Sequence, residues 1–221
     1  MPPLQWSTVT WDAFVDELRG FRARFYDGRS DDEHAYLRVR ELLAGRSSSA
    51  QVADVAAEIV WFLNRWACRL PTLPATEGIA AWIREHRRTL DEQADSDILD
   101  PRVERRRATY TRLHDSLLAL KRRGVPNMSD AAASKVLHQL QPELFVMWDK
   151  NIKPYAPIYG DFLAQPHRFA ARLRDQAPAG ARADLGEFLS HDLEYPVRKP
   201  LAKFLDEYNW YVAFGAERIR R

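Results

Sequence analysis

Lys121-Arg122-Arg123-Gly124-Val125-Pro126-Asn127-Met128-Ser129 leads into Asp130 to Leu140. Pro142-Glu143-Leu144-Phe145-Val146-Met147-Trp148-Asp149 then follows. A basic helix ends at the Gly124 turn, and Ser129 is placed to cap a short Ala-rich helix over 130–140. The apolar run after it delivers one carboxylate, Asp149, to the start of the next element. This order suits a carboxylate held in a pocket beside a surface that grips a phosphate backbone.

Working outward, helical signals dominate. Thr10 caps a segment whose Phe14, Leu18, Phe21 and Phe25 recur every three to four residues, marking one apolar face. Ser30 to Glu33 read as a capping box opening a helix that Gly45 stops. A third segment starts at Ser47 to Ser49 and ends near Pro71, apolar on most sides, and a fourth spans about 77–93. Asp100-Pro101 opens a helix predicted to run unbroken to Arg123. Beyond Asp149 the spacing predicts short pieces broken by Pro154, Pro157, Gly160, Pro166, Pro178 and Pro196, then a last helix over about 197–214. Val-rich alternation is scarce. The expected architecture is all-α: a two-lobed helical bundle within one domain over 1–221, the acidic stretch 91–100 marking the boundary between lobes.

The 221 residues are 46 % hydrophobic and 11 % aromatic, enough for a substantial core. No apolar run approaches the roughly 20 residues that span a bilayer. The N-terminus lacks the pattern of a signal peptide, so a cytoplasmic location without membrane contact is expected. Cys68, the only cysteine, lies among apolar residues and reads as an inert thiol. One cysteine and six histidines without metal-binding spacing predict neither a metal nor a cofactor. Net charge is +2, unevenly spread. Residues 1–100 hold 12 Lys and Arg against 17 Asp and Glu; residues 101–221 hold 21 against 14. The basic half reads either as ordinary solvated helix faces or as a polyanion-binding surface.

Gly124-Val125, Ala133, Val136-Leu137, Pro142, Phe145 and Asp149 together resemble the helix-hairpin-helix DNA glycosylases, more closely their divergent 8-oxoguanine-glycosylase-like branch. The resemblance covers about 30 residues and includes a helix-hairpin-helix-like element. It implies a DNA partner and cleavage of the N-glycosidic bond of a damaged base, with 8-oxoguanine-type substrates favoured. Asp149 would then stabilise positive charge on the sugar or activate the nucleophile. Strand-cleaving members use a lysine four residues after the first hairpin Gly; here that position is Met128. Lys135, seven residues further along the same helix, becomes the candidate amine nucleophile. Pro126 replaces the second hairpin Gly and removes one backbone donor.

Around this pair, Lys121, Arg122, Arg123, Gly124, Val125, Asn127, Ser129 and Lys150 are the candidate nucleic-acid contacts. Trp148, Tyr155 and Trp210 offer stacking faces for an extruded base, and His138 a second polar group in the pocket. Arg198-Lys199, Lys203 and Arg218-Arg220-Arg221 could extend the phosphate-contacting face. Each residue has a plainer role open to it: Asp149 as a helix cap, Lys135 as a solvated lysine, the aromatics as core. Two other functions fit the same residues. One is a nucleic-acid-binding module without chemistry; the other is an N-glycosidase acting on nucleosides, nucleotides or RNA. No obligate protein partner is evident.

Overall fold

A computed structural model describes residues 6–26, 31–43, 51–148 and 156–215, and among them there are eleven α-helices and no strand. They are α1 Trp11–Phe21, α2 Asp31–Leu43, α3 Val52–Arg65, α4 Thr72–Glu85, α5 Arg87–Asp91, α6 Arg102–Arg105, α7 Arg107–Leu118, α8 Asp130–Leu140, α9 Tyr159–Gln176, α10 Leu185–Asp192 and α11 Leu201–Trp210. The fold is all-α. Buried apolar side chains from Trp6 to Tyr208 form one contiguous core. Within it α3 packs on α4, α7 on α9, and α1 on α11.

Capping signals were the most legible. Thr10 Oγ1 accepts from the Ala13 N–H at 3.3 Å and Ser129 Oγ from the Ala132 N–H at 3.2 Å. Gly124, at φ 97°, ends the 3₁₀ turn Ala119–Arg123 in the left-handed region that favours glycine. The expected stops and starts at Ser30, Gly45 and Ser47 to Ser49 lie outside the described residues.

Several boundaries differ from the sequence reading. The helix expected from Asp100 to Arg123 is three pieces: α6, α7 and the 3₁₀ turn. At the first break the Arg107 guanidinium takes the Glu104 carbonyl at 3.1 Å, an acceptor that an unbroken helix would give to a backbone N–H. The segment expected to reach Pro71 ends at Arg65, where Ala67 and Arg69 turn the chain at φ 56° and 52°. Asn64 pins that turn through both backbone groups of Leu70. The expected 77–93 helix begins earlier, at Thr72, behind Pro71, and breaks at His86.

The largest correction is α9. Eighteen residues run helically through Gly160 and Pro166. Pro166 is buried on the face that packs Phe162, Leu163, Phe169, Ala170 and Leu173 inward, and this burial outweighs the roughly 3 kcal/mol cost of an interior proline. Gly160 is required by close packing: a Cβ there would sit 2.2 Å from the Arg107 carbonyl of α7. The final helix starts at Leu201, after Pro200, and continues as a π-helical turn over Tyr211–Gly215.

The 91–100 stretch is tied to its surroundings. Tyr110 donates to the buried Gln93 at 3.2 Å, the Ile98 N–H donates to the Glu143 carbonyl at 2.9 Å, and the His167 Nδ1–H donates to the Ile98 carbonyl at 2.7 Å.

Candidate functional site

α1, α2, α8 and α11 surround a cavity of about 280 Å³. Its aromatic walls are Phe21, Phe25, Trp66, Trp148 and Trp210, and its polar groups are Glu33, Lys135, Lys203, Asp206 and Glu207. Phe25 meets Trp210 edge-on at 4.7 Å, which fixes that wall. On the opposite wall the Lys135 ammonium sits 4.7 Å above the Trp66 ring, and no carboxylate pairs with it among the described residues.

The floor is an ion cluster. Lys199 Nζ bridges Glu33 Oε1 and Glu207 Oε1. Lys203 Nζ reaches Glu207 Oε1 at 3.2 Å, Asp206 Oδ2 at 3.3 Å and Glu33 Oε2 at 3.6 Å. All five side chains are buried, and Asp206, at 12 % exposure, is the most accessible. Three carboxylates face two ammoniums in a region of low dielectric, so one carboxyl tends to keep its proton. Burial pushes the Glu33 carboxyl up, but Lys199 and Lys203 more than reverse this and lower it to about 2. For Glu207 burial wins over the same two lysines, raising it to about 7. Burial likewise raises Asp206 against the pull of Lys203 and Lys135. Lys203, penalised by burial, is held well above its ordinary value by Glu33, Glu207 and Asp206. Among the described residues the buried Glu207 Oε2 meets no hydrogen-bond donor, which is costly for a charged group and easier for a protonated one.

The sequence-predicted residues divide into three groups. Lys135, Trp148 and Trp210 come together on the cavity. Trp148 is only 2 % exposed, stacked on Phe162 at 5.9 Å and edge-on to His114 at 5.3 Å, so it offers a wall rather than an open face. Asp149, Lys150 and Tyr155 lie outside the described residues, as do Arg218, Arg220 and Arg221.

His138 is placed elsewhere. It is fully buried in the core, with Nδ1 2.6 Å from the Phe145 carbonyl and Nε2 3.0 Å from the Tyr36 hydroxyl. Burial lowers it to about 3, so it is a neutral brace between α8, the run after it and α2. The expectation that Lys199 and Lys203 contact phosphate is overturned, because both are buried in ion pairs. Arg198 is exposed but engaged by Glu143 at 2.5 Å and Asp184 at 3.0 Å.

At the turn, Lys121, Arg122, Arg123 and Gly124 are exposed, while Val125 is buried against Gly78. Arg123 faces Glu85 at 3.7 Å. The amides of Gly124 and Val125 both donate to the Leu120 carbonyl, and that of Met128 donates to the Val125 carbonyl. These amides are therefore already occupied, and the first residue of α8 is the acidic Asp130. Asn127 donates to the Arg69 carbonyl. Ser129 is the cap, and about one and two-thirds turns separate it from Lys135, roughly 9 Å of helix rise.

Sequence reading missed Glu33, Asp206 and Glu207. The available signal was Lys203, Asp206 and Glu207 at i, i+3 and i+4 inside a helix otherwise apolar or aromatic apart from Asn209, a spacing that pairs them on one face. Comparison of the chain with protein-family models, with curated proteins and with solved structures finds no match in any of the three.

Proposed function

We propose that this protein cleaves an N-glycosidic bond, taking the base of its substrate into the aromatic cavity between α8 and α11. The observation that carries this reading is the meeting of three tryptophans, an amine and buried carboxylates around about 280 Å³. Aromatic walls suit a planar base removed from its stack. Carboxylates in a dry setting oppose the positive charge that grows on the sugar as the bond breaks. Asp149, next in the chain after Trp148, is assigned the stabilising role at the sugar, and Lys135 that of candidate nucleophile. Cleavage in DNA would be aided by the exposed Lys121 and Arg122.

A second reading is favoured by one observation. The hairpin amides are spent on Leu120 and Val125, and Asp130 begins the helix where a phosphate would dock. A free nucleoside or nucleotide needs no such grip, and would use the same cavity.

The test is base release from oligonucleotides carrying 8-oxoguanine, uracil, hypoxanthine or alkylated purines, beside the matching nucleosides. Release by the wild type and its loss in a folded Asp149→Asn variant is the expected result. Release from nucleosides alone selects the second reading. A wild type that releases no base from either set overturns both. Borohydride trapping of a covalent adduct, abolished in Lys135→Met, would assign the amine attack.

A further inference from the structure

We propose that Asp206 is a second catalytic carboxylate, the proton donor to the departing base. This rests on the glycosidic reading above and adds a residue that neither the motif nor its resemblance contains.

Three observations support it. Asp206 is the cavity carboxylate whose oxygens are reachable: its side chain is 12 % exposed, against 3 % for Glu33 and 1 % for Glu207. Among the described residues its Oδ2 is engaged by Lys203 at 3.3 Å, and Oδ1 meets no hydrogen-bond donor. In the same cluster Glu207 Oε2 meets no hydrogen-bond donor among the described residues, which marks a site with more carboxyl oxygens than donors to satisfy them. Such a floor retains a proton and accepts N–H groups from a ligand.

The charged and titratable groups facing Asp206 come from four helices. They are Glu33 from α2, Lys135 from α8, Tyr159 from α9, and Lys203 and Glu207 from α11. Burial raises the Asp206 carboxyl, in keeping with an acid.

The step balances as follows. The C–N bond breaks and its electron pair stays on the base nitrogen, which takes the proton from Asp206. The carboxylate so formed is compensated by Lys203. Water adds its oxygen to the sugar carbon and releases its proton to solvent, from which Asp206 regains its own once the products leave.

The experiment compares wild type, Asp206→Asn and Asp206→Glu in base release across pH. Quenching of tryptophan fluorescence by free 8-oxoguanine, uracil and hypoxanthine follows occupancy of the cavity that Trp66, Trp148 and Trp210 line. Asp206→Asn is expected to lower kcat by about 100-fold or more, to keep the quenching, and to lose the decline of activity expected of wild type as pH rises. Asp206→Glu should recover part of the rate. Asp206→Asn with wild-type kcat and pH dependence, beside an inactive Asp149→Asn, removes Asp206 and leaves the glycosidic reading standing. Joint loss of release and quenching makes Asp206 a structural residue and overturns the proposal. A wild type releasing no base overturns both readings at once.

Discussion

Two basic regions of this chain obey opposite physics. Lys121, Arg122 and Arg123 stand exposed on a turn, where water and salt screen them. Lys199 and Lys203 are buried among carboxylates that they cannot leave without stranding a charge. Both sets carry only positive charge, and both contributed to the apparent polyanion face of the C-terminal half. Only the first set is available to a partner. The second set builds the floor of the cavity.

The contrast can be broken most sharply at Lys203. Lys203→Met leaves Glu33, Asp206 and Glu207 short of a cation and should cost on the order of 3–5 kcal/mol in urea denaturation. A loss below about 1 kcal/mol would mean that water reaches the floor. Glu207→Gln tests the same floor by pH. Because the folded state raises Glu207 from 4.5 to about 7, its stabilising contribution is complete below pH 4.5 and lost as pH rises towards 7. The variant should therefore gain on wild type across that window, as read by stability curves at matched pH. Glu33, lowered to about 2, acts in the opposite sense, losing its contribution as pH falls below 4.5. His138, lowered from 6.5 to about 3, loses its own as pH falls below 6.5. The difference between variant and wild type isolates Glu207 from both.

On the exposed side the effects shrink. Ser129→Ala removes the α8 cap and should cost about 1 kcal/mol of stability by thermal or urea unfolding. Arg122→Ala should change stability by no more than about 0.5 kcal/mol. If the turn contacts a phosphate backbone, it should also reduce the salt dependence of DNA affinity by about one unit of slope. An unchanged slope would separate this turn from nucleic acid and strengthen the nucleoside reading.

What was legible in the sequence followed local rules. Thr10 and Ser129 cap because their hydroxyls reach the next turn, and Gly124 stops a helix because of its backbone freedom. What was hidden depended on distant partners. Pro166 looked like a break, yet tertiary burial of its helix face keeps α9 whole. At the break between α6 and α7 the Arg107 side chain takes the Glu104 carbonyl, a contact that composition does not reveal. In the candidate site, Lys135, Trp148 and Trp210 were readable as pocket residues, whereas His138 was assigned to the pocket and proved to be a core brace. Asp206 and Glu207 escaped notice because their role depends on Glu33, more than 170 positions away.

Ser134 has an effect beyond its size. Its Oγ accepts from the Trp148 N–H at 2.9 Å, and its hydroxyl is within donating reach of the carbonyls of Ala131 at 3.0 Å and Trp148 at 3.3 Å. Trp148 is thereby riveted to α8 one residue from Lys135 and one residue before Asp149. The rivet works as a datum in the engineer's sense: the amine and the residue that precedes the carboxylate are referenced to the same helix. Libraries that randomise the stretch after Trp148 would keep this reference, while a single Ser134→Val change would erase it without touching either proposed reacting group.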